Sequence, residues 1–206
     1  MILRKIQNQI ESLYHFRLRY NVENFLNTAI AANNHQTKEI LLVKQTASML
    51  ELGLFFDASV LKQLKTEDPF LKIGPANLQS FCIAIEGVSH FLYLLKHALE
   101  ARPVTRLELE LQGEVDKYLL TALLFYDQQG SVPNFLFSYL FEKIGWNLKL
   151  SGKELQRYQE ANRYALRFCA RLEENHIRHG RWHSALDQAR HFYFLDQGSK
   201  IKTLTP

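Results

Sequence analysis

Glutamate and histidine side chains recur along one face of a predicted helix between residues 77 and 101. Glu86 and His90 lie one turn apart, and Tyr93 and His97 continue the same narrow polar strip. A carboxylate and an imidazole at this spacing can meet one metal ion or one another, and the carboxylate can set the tautomer that a general base needs. We therefore predict Glu86, His90 and His97 as candidate catalytic residues of a metal-dependent or acid–base enzyme. The alternative is structural, because a mostly buried helix also needs a strip that meets water.

A complete metal-ligand motif is missing from the sequence. Helical di-iron proteins use Glu from two helices and Glu-x-x-His from two more. Glu173 and His176 have that spacing, and Glu110 and Glu114 lie one turn apart, but there is no second Glu-x-x-His. Phosphate-binding loops, dinucleotide fingerprints, hydrolase elbows and zinc-protease motifs are absent as well. We predict no cofactor and no resident metal.

A second polar stripe runs along a predicted helix that starts at Ser151. Its arginines share one face with an aromatic ring, the combination that proteins use for phosphate contact and base stacking. The candidate nucleic-acid-binding residues are Arg163, Arg167, Arg171, Arg178 and Tyr164. Residues 153–206 carry ten Lys/Arg and six Asp/Glu, whereas the first 152 residues carry fifteen of each. The alternative is an ordinary solvated arginine face, since acidic residues lie in the same arc and no known nucleic-acid module is recognisable.

Apolar residues recur mainly at steps of three and four, which predicts helices. We predict an all-α fold: one compact domain over residues 1–206, an irregular bundle of six to seven helices with no sheet, and a basic, histidine-richer segment at 151–206. The predicted helices cover about 2–26, 37–64, 77–101, 105–127, 134–144, 151–179 and 184–195, with a break at Gly180 and a frayed tail from Gln197. Thr105-x-x-Glu108 and Ser151-x-x-Glu154 are capping-box patterns that mark two of the starts.

Composition bounds the function classes. No signal-peptide pattern or run of 18 apolar residues occurs, and Cys82 and Cys169 have no metal or disulfide spacing, which favours a soluble, cytoplasmic chain with two buried thiols. The missing catalytic signatures and the surplus of aromatic helix surface favour a non-catalytic interaction or regulatory module that binds a protein partner, with homodimerisation as one form. RNA or single-stranded DNA binding through the arginine face is the alternative. An enzyme using Glu86 and His90 is the second alternative.

Overall fold

The structure, a computed structural model, describes residues 2–27, 38–46, 49–145 and 151–205. This part of the chain is mostly helical, with eight α-helices and one two-stranded antiparallel sheet. The elements are α1 (Ile2–Leu13), β1 (Glu39–Gln45), β2 (Leu50–Phe56), α2 (Ala58–Thr66), α3 (Leu78–Leu99), α4 (Arg106–Gln129), α5 (Phe135–Phe141), α6 (Gly152–Asn175), α7 (Trp182–Phe194) and α8 (Gln197–Leu204). The prediction of a helical protein is confirmed, whereas the predicted absence of a sheet and the count of six to seven helices are wrong.

The predicted helix over residues 37–64 is in fact the β1–β2 hairpin followed by the short helix α2. Glu39 pairs with Phe56 at one end of the ladder, and Gln45 pairs with Leu50 at the other. A continuous apolar run does not distinguish a strand from a buried helix, because periodicity carries no signal when every position is apolar. In the hairpin, each strand pairs the backbone groups that face its partner strand.

The ends of the chain also differ from the prediction. α1 stops at Leu13 rather than near residue 26, because His15 takes a left-handed conformation with φ of 54°. Residues predicted as a frayed tail form α8, which Asp196 caps by accepting a hydrogen bond from the Ser199 amide at 2.8 Å. Lys200 on this helix is fully buried. Because Lys200 is polar although buried, the composition of this segment resembles that of a solvated tail. Composition alone therefore does not predict α8.

Several helix boundaries are confirmed by their caps. Thr105 accepts from the Glu108 amide at the start of α4, and Ser151 and Glu154 form a complete capping box at the start of α6. The predicted break at Gly180 is confirmed, since Gly180 has φ of 68° and ends a short 3₁₀ turn after α6. Of the seven predicted helices, the last starts at Trp182, two residues before its predicted start.

Helix α3 is the centre of the core. It packs against α1, α2, α4 and the hairpin, and α4 in turn packs against α6. By length and composition α3 could cross a membrane, but most of its apolar surface is buried inside the protein, as in the core helix of a globular fold. Gly87 allows the hairpin to come close, because a Cβ there would lie 2.7 Å from the Phe56 ring. The hairpin therefore covers the face of α3 that carries Glu86 and His90.

Candidate metal centre

Glu86 and His90 of α3 face Glu110 of α4. The Nε2 atom of His90 lies 3.5 Å from Oε2 of Glu110. One ligand atom from each of the three residues lies within 4.8 Å of the other two, and in the described ranges this is the one group of three or more His, Cys, Asp or Glu residues with such convergence. The side chains come from neighbouring turns of two helices that pack along their length, so the backbone positions all three.

His90 is buried, yet its ring nitrogen Nε2 lacks a hydrogen-bond partner among the described residues. Its side chain is 8% exposed, and Nε2 makes no hydrogen bond within the described part of the chain. Nδ1 lies 3.7 Å from Oε1 of Glu39, the first residue of β1. Gly113 of α4 makes room for the ring, because a Cβ at that position would lie 2.9 Å from Nε2. The imidazole is thus held between two carboxylates, with Nε2 close to Glu110 but not hydrogen-bonded to it.

Lys117 of α4 lies between the carboxylates of Glu86 and Glu114. Its Nζ atom donates to Oε2 of Glu86 at 3.1 Å and to Oε1 of Glu114 at 2.7 Å. Burial by itself would lower the pKa of Lys117, but the two carboxylates outweigh burial and raise it. Burial would raise the pKa of Glu86, whereas Lys117 and His90 bring it below its usual range. Glu86 is therefore a charged carboxylate, with one oxygen fixed by the ammonium group.

The two groups that face each other have shifted pKa values. Burial would lower the pKa of His90, but Glu39 and Glu110 raise it to about 9. Burial raises the pKa of Glu110 to about 7, although His90 opposes the shift. Groups that titrate near neutrality in a concave site are candidates for acid–base work. Between pH 7 and pH 9 the pair therefore holds one proton, which lies on His90.

A cleft of about 620 Å³ opens over this cluster, bounded by β1, α3, α4 and α6. His90, Glu39 and Glu110 line its floor, and Arg157 and Tyr158 of α6 line one side. The Nε atom of Arg157 lies 3.7 Å from Oε1 of Glu110 and has no hydrogen-bond acceptor among the described residues. His90 and Glu110 thus border a space large enough for a small molecule, whereas Glu86 is not part of its lining.

His97, the third residue of the predicted strip, lies in a different buried cluster. Arg102 Nη1 approaches its Nε2 atom at 2.6 Å, and the Tyr93 ring packs edge-on against it. Lys200 donates to the Tyr93 hydroxyl at 3.0 Å, and Arg102 forms an ion pair with Glu108. Burial and the Arg102 charge lower the pKa of His97 to about 4. We call this cluster the Lys200 network, and it does not reach the cleft that His90 lines.

The arginine face of α6 is exposed, but part of it is used within the chain. Arg167 and Arg171 direct guanidinium nitrogens to backbone carbonyls at the end of α8, at 3.5 and 2.6 Å. Arg163 lies over the Tyr164 ring. Arg178 was predicted on the same helix but lies in the 3₁₀ turn after α6, where it pairs with Glu173 at 3.4 Å. Nucleic-acid binding through these residues stays a prediction.

The remaining sequence candidates lie apart from the cleft. Glu173 accepts from the Tyr118 hydroxyl, and His176 approaches the Gln188 amide at 2.7 Å, so neither joins the α3–α4 cluster. Cys82 and Cys169 are free and buried, as expected, and burial raises the pKa of both thiols, that of Cys82 to about 12.

Sequence reasoning missed three residues of the site. Glu39 was placed inside a predicted helix, and its proximity to His90 depends on the hairpin. Lys117 and Gly113 were not considered, although a signal exists for both. Lys117 continues the face of α4 that carries Glu110 and Glu114, and a glycine inside a helix often marks a close approach.

Comparisons of this chain with family models, curated proteins and solved structures found no match.

Proposed function

We propose that this chain binds one divalent transition-metal ion through Glu86, His90 and Glu110, and uses it in the cleft as a Lewis acid for a hydrolytic reaction. The observation that carries the proposal is the buried, unpartnered Nε2 atom of His90 at 3.5 Å from the Glu110 carboxylate. Two ligands bonded at 2.0–2.2 Å to a tetrahedral zinc ion lie about 3.4 Å apart. The 3.5 Å between Nε2 of His90 and Oε2 of Glu110 is close to this ligand–ligand distance.

The donor set indicates the class of ion. Imidazole suits zinc, iron and nickel, and carboxylates suit harder ions, so one histidine with two glutamates favours Zn²⁺, Fe²⁺ or Mn²⁺. Three protein ligands beside an open cleft resemble catalytic zinc sites, where a fourth position takes water and lowers its pKa to about 7. Glu39 lies 3.7 Å from Nδ1 of His90 and would orient the ring, as carboxylates commonly do behind a ligating histidine.

Buried charge supports the same proposal. Four partly buried carboxylates (Glu39, Glu86, Glu110 and Glu114) face Lys117, Arg157 and His90 within the described part of the chain, so acidic groups outnumber the basic groups at the site. Uncompensated buried charge is costly, and a divalent cation neutralises it. Lys117 already occupies the space between Glu86 and Glu114, so we propose one ion rather than two.

The test is metal content and affinity. Protein purified without a tag or chelator is analysed for Zn, Fe and Mn, and the apoprotein is titrated with Zn²⁺ and Mn²⁺ by calorimetry. We expect one equivalent per chain, with affinity lost in His90→Gln and in Glu86→Gln. His183→Gln is the matched control, because His183 is an exposed histidine that pairs with Asp187 at 3.2 Å. Wild-type protein that binds no more metal than His90→Gln would refute the proposal.

Binding of a protein partner, with or without homodimer formation, stays a prediction. Helix α5 is rich in aromatic residues. Leu136, Leu140 and Phe141 are buried, whereas Phe135 and Tyr139 are exposed at 48% and 38%. Light scattering of wild type and of Phe135→Ser at matched concentrations would test self-association through this face.

A further inference from the structure

The cleft above the proposed metal position has an apolar wall. Half-buried apolar residues from β1, α3, α4 and the connection before α4 line it above the cluster: Ile40, Leu41, Leu94, Val104 and Leu109. They leave apolar surface uncovered inside a concave site of the size that small-molecule pockets have. An apolar ligand body would cover that surface.

The polar end of the cleft is cationic at one point. Arg157 lines the cleft with its side chain 19% exposed, and its Nε–H has no acceptor among the described residues. An unmade hydrogen bond of a charged group is costly. A carboxylate is the acceptor that guanidinium geometry matches best. Arg106, which is exposed, adds a second positive charge to the lining.

The arginine and the metal position share one carboxylate. Oε2 of Glu110 faces Nε2 of His90 at 3.5 Å, and Oε1 of the same group faces Nε of Arg157 at 3.7 Å. A ligand anion held by Arg157 therefore lies beside the ion that Glu110 binds. The excess of carboxylates around the metal position repels such an anion, and a divalent cation bound there would remove that repulsion.

We propose that the cleft binds a monocarboxylate with an apolar body, its acid group on Arg157 next to the metal and its body against the apolar wall. The inference rests on the proposed metal site and names the class of ligand that the cleft takes beside the metal. It also sets an order of binding, with the metal first and the acid second.

The probe is octanoate, titrated by calorimetry into zinc-saturated wild type, Arg157→Gln and Arg163→Gln. Arg163 is the matched control, because it lies on the same helix and over a tyrosine ring, as Arg157 does, but outside the cleft. We expect Arg157→Gln to weaken octanoate binding about tenfold or more, as loss of a charge-assisted hydrogen bond does, with no change in Arg163→Gln. Circular dichroism and zinc affinity confirm that each variant folds and loads metal.

Two further ligands separate the parts of the inference. Octylammonium should not bind, and acetate should bind at least about tenfold more weakly than octanoate, because it lacks the methylenes that the wall would bury. Octanoate that fails to bind zinc-loaded wild type, binds Arg157→Gln equally well, or is matched by octylammonium or by acetate would overturn the inference. Failure of zinc binding is measured separately and would instead refute the metal site.

Discussion

Gly113→Ala tests whether the imidazole of His90 is held where the structure places it. A Cβ on residue 113 would lie 2.9 Å from Nε2 and 3.3 Å from Cδ2 of His90, whereas its contact with Glu86 at 3.7 Å would be ordinary. Normal contact begins near 3.4 Å, so the ring must move by about 0.5 Å. It has little freedom to do so between Glu39 and Glu110.

Two opposing terms set the magnitude. Overpacking a core costs about 1–3 kcal/mol, and Gly to Ala inside a helix contributes about 0.5–1 kcal/mol of stability. We expect Gly113→Ala to lower the free energy of unfolding by about 1 kcal/mol in the wild type. In a His90→Ala background the clash is gone, so the same substitution should raise it by about 0.5–1 kcal/mol.

The assay is urea unfolding followed by circular dichroism for the four proteins of this double-mutant cycle. Gly74→Ala serves as the control, because no atom lies within 4 Å of its Cβ position. Zinc affinity should also fall about 10–100-fold in Gly113→Ala, the usual effect of disturbing the surroundings of a ligand. If Gly113→Ala stabilises the wild type as much as it stabilises His90→Ala, the packing argument is wrong.

Three further predictions concern packing and protons. Gly87→Ala should destabilise the fold by about 1–3 kcal/mol in urea unfolding, because its Cβ would meet the Phe56 ring at 2.7 Å; an unchanged midpoint would contradict this. Burial lowers the pKa of Lys200 from 10.5 to about 7, so above pH 7 the unfolded chain binds more protons and stability should rise with pH by about 1 kcal/mol per unit up to pH 9.5. Lys200→Met should flatten this rise, and an equal slope in both proteins would contradict the assignment. Zinc binding at pH 7.5 should release about one proton, because the pKa of His90 is raised to about 9 and a ligating imidazole is neutral; calorimetry in buffers of different ionisation enthalpy measures it, and release unchanged in His90→Gln would exclude His90 as its source.

The helices that position the site were largely predictable, because their signals are local. Thr105 and Ser151 cap α4 and α6 through contacts within three residues, and Glu86 and His90 are neighbours on any helix. The hairpin was not predictable, since strand pairing joins residues that are far apart in sequence, such as Glu39 and Phe56, whereas periodicity reports only on neighbouring positions.

The composition of the candidate site was predictable only in part. The strip on α3 is continuous in sequence, but different elements face its two halves. Glu110 and Glu39 face His90, whereas Arg102 and the Lys200 network face His97. Tertiary packing decides which polar residues lie in the same cluster. The sequence of one helix alone does not predict that packing.

The hairpin that closes one side of the cleft depends on the helices for its stability. A two-stranded sheet is marginal in water, and this one depends on its contact with α3. We expect its amides to exchange with solvent through local opening at a lower free energy than those of α3 and α4. Each opening would carry Glu39 away from His90 and uncover the cleft, while Glu86 and Glu110 stay on the rigid helix pair. Access to the site would then be set by the opening rate of the strands, and metal retention by the helices.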